Sequence, residues 1–172
     1  MSNLRLINET TASSVSTVYV TDVFTSDYDI YKIVVSNIEG ASTNQWTNMN
    51  CLDSSDNAIT TTNYGFAMYE LKTYGTYSEN KSTSAQKWNY LWIEEADKGA
   101  GNTMYIFTPT STSSYTFLLG ESSGFYGSSG NVNCQYIGAL KELTEVSGFK
   151  LTRATGSWTS MTIRTYGLRV DT

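Results

Sequence analysis

Two adjacent carboxylates, in the stretch Trp92-Ile93-Glu94-Glu95, are the most pointed candidate for chemistry in this chain. Glycoside hydrolysis needs two carboxyl groups facing one substrate, about 5 to 10 Å apart. Neighbours on a β-strand point to opposite faces, so Glu94 and Glu95 read as a solvated hairpin end instead of an acid–base couple. Asp53, Asp56 and Asn57 offer the hard oxygens that calcium accepts, but not at EF-hand spacing, and short polar side chains so clustered are ordinary turn chemistry. Asp22, Asp27 and Asp29, at the entry to a strand, read the same way. Gly99-Ala100-Gly101-Asn102 begins like a dinucleotide-binding fingerprint but lacks the third glycine and the following helix, which leaves a hairpin turn. Cys51 and Cys134 have no metal-ligand spacing and read as two small buried thiols, with a disulfide as the alternative. The chain contains no histidine. That removes the commonest general base, every Ser–His or Cys–His nucleophile pair and the commonest metal ligand. No catalytic residue, metal site or cofactor is expected, and the chain reads as non-enzymatic.

Binding is better served than catalysis. Trp88, Tyr90 and Trp92 recur at period two and would share one face of a strand, while Trp46, Tyr74 and Tyr77 stand in polar company. Large flat rings in such a row suit a sandwich core, a subunit interface or a sugar-binding platform. Near the end of the chain, Arg164 and Arg169 are candidate contacts at a strand edge or docking surface.

These residues need a frame, and composition says which kind. Charged residues make up only 16% and hydrophobic ones 40%, with 13 Tyr and 4 Trp against a single Pro. Ser and Thr fill roughly a quarter of the chain, well above ordinary usage. Uncharged polar surface lends itself to burial in repeated contacts. The net charge is −5 and the basic residues form no run, so no phosphate-neutralising patch and no nucleic-acid partner are expected. No stretch approaches about 18 apolar residues, and the start lacks the apolar core of a cleaved signal, so a soluble chain without membrane association is expected.

Period-two alternation runs through most of the sequence and predicts nine or ten strands with little or no helix. It makes one antiparallel β-sandwich domain over residues 1–172, jelly-roll-like. Tyr28 to Val35 reads as a strand covered on both faces. The polar stretch from Tyr74 to Gln86 reads as exposed, and Gly120 to Asn131, with its repeated Ser-Ser-Gly, as a flexible loop. Met104 to Phe107 reads as the hairpin partner of the strand holding Trp88 and Trp92. Ala139 to Val146 is balanced between one helical turn and strand ends. In the closing strand the apolar residues change phase, from Met161 and Ile163 to Tyr166, Leu168 and Val170. That predicts a bulge between Thr165 and Gly167.

The opening run LINETTASSVSTVYVTDVFTSDYDIYKIVV and the late run GFKLTRATGSWTSMTIRTYGLRV resemble small virion structural proteins of tailed bacteriophages, particularly those of marine bacteria. The resemblance covers both ends, about a third of the chain. It implies a β-sandwich serving as capsid decoration or as a tail or fibre component, located in the virion and made in the host bacterial cytoplasm. The partners it implies are other virion proteins and further copies of the chain. The alternative is a carbohydrate-binding module or host-receptor-binding tip that uses Trp46, Trp88, Tyr90 or Trp92 against a surface glycan.

Overall fold

A computed structural model describes residues 3–41, 44–127 and 130–169. Among them twelve strands form and no helix: β1 (Leu4–Ala12), β2 (Thr17–Val20), β3 (Ile30–Gly40), β4 (Gln45–Leu52), β5 (Tyr64–Lys72), β6 (Ser78–Ala85), β7 (Trp88–Glu94), β8 (Ala100–Phe107), β9 (Thr116–Tyr126), β10 (Gly130–Leu140), β11 (Gly148–Arg153) and β12 (Trp158–Leu168). They build an eight-stranded sheet in the order β1-β12-β3-β8-β9-β10-β5-β6 and a four-stranded sheet in the order β2-β11-β4-β7. Every pairing is antiparallel. Without β1, β9, β10 and β12 the sheets reduce to β3-β8-β5-β6 and β2-β11-β4-β7, the double Greek key of a jelly roll. The β9–β10 hairpin is inserted in the middle of the wide sheet, and β1 and β12 extend one margin.

Alternation places the core between the sheets. Tyr31, Ile33 and Val35 of β3, Met104 and Ile106 of β8 and Ile163 of β12 are buried against Met49, Leu91, Phe149 and Leu151 from the narrow sheet. Cys51 and Cys134 are buried free thiols of this core, as expected from their isolation in sequence. Burial raises both, the Cys134 thiol to about 12.

Five expectations are corrected here. The strands number twelve and not nine or ten. Tyr28 to Val35 is not covered on both faces, since Tyr31, Ile33 and Val35 are buried while Lys32 and Val34 point outward from the wide sheet. The polar stretch from Tyr74 to Gln86 is largely exposed, as its sequence predicts, and its β6 is a strand because it caps the edge of the wide sheet, where its main chain needs only one partner. Gly120 to Asn131 is the β9–β10 hairpin and not a flexible loop. Its glycines face inward: a Cβ on Gly120 would come within 2.5 Å of the Tyr136 ring, and one on Gly124 would overlap the Ile93 carbonyl oxygen of β7. Gly124→Ala is therefore expected to cost about 1–3 kcal/mol by pushing β7 off the wide sheet, read as a lower denaturation midpoint. An unchanged midpoint would refute that close approach.

Met104 to Phe107 does not pair with the Trp88 strand, because β7 joins β4 in the narrow sheet while β8 joins β3 and β9 in the wide one. The turn between them, with positive φ at Asp97 and Gly99, carries the chain from one sheet to the other. Of the two readings open for Ala139 to Val146 the strand end holds: Ala139 and Leu140 close β10, and no helical turn follows. Finally, β12 pairs with β3 in unbroken register from Thr162 to Leu168, so the bulge expected at Thr165 to Gly167 does not form there. The irregularity lies in the neighbouring strand, between Leu6 and Asn8 of β1. The phase change has another cause. Met161, Ile163, Thr165 and Gly167 face the core, Gly167 beneath the Tyr28 ring, while Tyr166 and Leu168 face outward. The expected continuation to Val170 lies outside the described residues.

Candidate docking face

The outward residues of the wide sheet come into line because the register is regular across its centre. One row runs through Tyr166, Lys32, Tyr105, Leu119, Ile137 and Ala67, each paired with the next across β12, β3, β8, β9, β10 and β5. A second row runs through Leu168, Ile30, Phe107, Phe117 and Ala139. A third holds Arg164, Val34, Thr103, Glu121, Gln135 and Tyr69. Two of the three rows are largely apolar, yet Leu119 is 48% exposed and Ile137 is 58% exposed. Contiguous apolar surface of this extent marks interaction sites on soluble proteins.

The outer side of the narrow sheet is built differently. Its β4 is buried almost throughout, because loops of the chain fold over it. The Asn50 amide donates to the Ile59 and Gln86 carbonyls, both at 2.9 Å. Tyr19 and Lys150 remain outside, the ammonium 5.8 Å from the ring centre. One sheet is covered by its own chain; among the described residues nothing covers the other.

The middle of the wide face holds a shallow trough of about 810 Å³ over β3, β8, β9, β10 and β5. Tyr105, Leu119, Ile137 and Tyr69 line it, with Lys32, Glu121 and Glu79 along its margins. The Lys32 ammonium lies 6.0 Å from the Tyr105 ring centre. At one side Arg164 donates from Nε to Glu9 at 2.7 Å, and at the other Lys81 pairs with Glu79 at 3.0 Å.

The six sequence-predicted contact residues scatter over the molecule. Trp88 and Trp92 are wholly buried, so the core holds among the three roles open to their row, and their candidacy as interface or glycan contacts is corrected. The shared face is lost because Tyr90 has φ of +64°, and the β4–β7 register shifts between Thr47 and Met49. This break turns Tyr90 toward Trp46, edge to face at 5.4 Å, with Phe66 6.2 Å away. Trp46 and Tyr90 are half-buried and border a small pocket of about 180 Å³ with Met68, Glu70, Ser78 and Asn80. Arg164 alone lies on the wide face. Arg169 is exposed beyond β12, its backbone N–H bonded to the Asn3 carbonyl at 2.9 Å.

The acidic candidates resolve into structure. Glu94 and Glu95 are buried instead of forming a solvated hairpin end, and their carboxylates take separate partners. Glu94 receives Arg153 Nε at 2.5 Å, and Glu95 receives the Gly127 N–H at 2.9 Å. Burial pushes Glu94 up to about 7 against the opposing pull of Arg153. Asp53 Oδ1 accepts the backbone N–H groups of Ser55 and Asn57, both at 2.9 Å, which holds its carboxyl below the usual range.

What sequence reasoning missed is the outward set on β8, β9 and β10. The signal was present: Met104-Tyr105-Ile106-Phe107 and Thr116-Phe117-Leu118-Leu119 are apolar at both parities, where a half-exposed strand alternates. The chain matches no protein-family model, and no curated protein proves similar to it.

Proposed function

We propose that this chain is a non-enzymatic structural protein that works by docking, a virion accessory component on the resemblance of its two ends. The observation that carries the reading is the outward apolar face of the wide sheet. Its aliphatic side chains offer no chemistry for turnover, and Leu119, Ile137 and Phe117 gain most from water exclusion by another protein surface. The chain's polar, weakly charged exterior suits burial in repeated contacts.

Gene order tests the virion assignment. The expected result is a position within a block of capsid and tail genes, and a metabolic neighbourhood overturns it.

A second reading rests on the Trp46–Tyr90 corner. An aromatic pair beside Glu70, Ser78 and Asn80, around a space fit for one sugar ring, has the composition of a glycan site. Trp88, Trp92 and Trp158 are fully buried, so Trp46 is the one tryptophan a sugar can reach. On this reading oligosaccharides quench tryptophan fluorescence, and Trp46→Phe removes the response. No quenching across a panel of neutral and acidic oligosaccharides excludes it.

A further inference from the structure

We propose that the outer face of the wide sheet closes against the same face of a second copy of this chain, about a two-fold axis running along β8. The inference rests on the docking reading and names its occupant.

Area is the first argument. Eight strands spaced about 4.8 Å apart, with three outward rows about 6.8 Å apart, present on the order of 700 Å². A standard stable interface buries about 800 Å² per partner. The face is thus the right size for one whole contact with a flat, equally broad partner, and the narrow sheet offers no comparable surface.

Charge is the second. The three rows, with the β1 and β6 residues paired to them, carry Lys32, Lys81 and Arg164 against Glu9, Glu79 and Glu121, three of each sign, while Glu39 lies beyond them toward the end of β3, so the excess of −5 lies outside the rows. Two copies meeting through this face bring no like charge together and keep their acidic remainders apart. A partner of one dominant sign gains nothing from a balanced surface.

The arrangement of these charges selects the axis. Arg164 with Glu9 and Lys81 with Glu79 are neutralised within one copy, at opposite margins. Lys32 and Glu121 lie near the centre and have no ion-pair partner among the described residues. They sit on β3 and β9, the two strands flanking β8, in adjacent rows. A two-fold axis along β8 exchanges those strands, so Lys32 of each copy lies over β9 of the other, one row from its Glu121. Two symmetric ion pairs then frame a centre where Tyr105 of one copy meets Tyr105 of the other, with the Lys32 stem of each copy over Leu119 of its mate, the isologous pattern of a cyclic dimer.

Sedimentation equilibrium of the full chain, from about 1 to 100 μM, tests the pairing. The wild type is expected to be a dimer, and Tyr105→Glu combined with Ile137→Glu, which sets two like charges face to face on the axis, a folded monomer with unchanged far-ultraviolet circular dichroism. Lys32→Glu or Glu121→Lys alone is expected to raise the dimer dissociation constant about tenfold or more, and the two together to restore most of it. A monomeric wild type overturns self-pairing while gene order still judges the docking reading. A dimer that survives the Tyr105/Ile137 changes overturns pairing through this face, because the contact then lies elsewhere, and leaves the docking reading to be judged by gene order. Single reversals that weaken the dimer without recovery in the double reversal refute the axis along β8.

Discussion

Replacing Arg153 by methionine is expected to cost about 3–5 kcal/mol at neutral pH, the penalty for breaking a buried ion pair by removing one partner, which forces the other to take up a proton or stay charged without a counterion. Both side chains of the Arg153–Glu94 pair are fully buried, with Nε donating to Oε1 at 2.5 Å. Arg153 also donates from Nη1 to the Thr155 carbonyl at 2.6 Å, which ties the end of β11 to the following turn. Gly40 closes the site from β3, because a Cβ there would overlap the guanidinium.

Acidity gives this prediction a sign. Glu94 has an ordinary value of 4.5 and is raised to about 7 in the fold, chiefly by burial. Its contribution to stability is complete below the ordinary value and is lost as pH rises through about 7. Without Arg153 the desolvation loses its main counterweight, so the carboxyl rises further and the loss extends to higher pH. The stability gap between wild type and Arg153→Met is thus expected to widen from about pH 5 to pH 8 in urea titrations. An equal gap at both ends would show that lost packing, not charge, sets the penalty. Adding Glu94→Leu to Arg153→Met is expected to recover most of the loss, since two apolar side chains leave nothing buried and charged.

Architecture was legible because the elements that decide it repeat at period two. The strand around Leu151 alternates cleanly, and turns such as Asp53 to Asn57 follow from side chains that bond their own backbone. Legibility failed where the identity of a residue was set by something far away in sequence. Gly120 and Gly124 look like a flexible loop in isolation and are in fact the places where Tyr136 and the β7 backbone approach β9. The polar β6 carries no period because neither face is fully buried, and only its pairing with β5 makes it a strand.

The docking face illustrates the same limit for function. Trp residues drew the sequence reading because they carry the most binding energy per side chain, yet the core claims them first for the same reason. What remains outside is smaller: Leu119, Ile137, Phe117 and Tyr105. Their exposure is invisible in a run such as Thr116-Phe117-Leu118-Leu119, which reads alike whether a second layer covers the strand or not. Topology alone reveals that the wide sheet has one inner partner and, among the described residues, an outer face left bare.

Trp88 shows how completely the core has absorbed those rings, and Trp88→Ala is expected to cost about 3–5 kcal/mol. The indole is fully buried, meets Tyr64 edge to face at 5.3 Å, and its N–H has no hydrogen-bond partner among the described residues. The penalty is therefore one of packing and cavity, with no hydrogen bond to lose. Across the sandwich the ring lies against Gly138 of β10, where a Cβ would come within 2.5 Å of the indole nitrogen. Gly138→Ala in the wild type is accordingly expected to cost about 1–3 kcal/mol by overpacking. With Trp88→Ala present the space is vacant, and the same methyl fills part of the cavity, so the second change becomes neutral or stabilising. Chemical denaturation of the two single variants and the double variant measures this reversal as a coupling energy. Simple additivity of the two penalties would mean that Trp88 and Gly138 do not share the space assigned to them, and that β7 does not lie against β10 at this point.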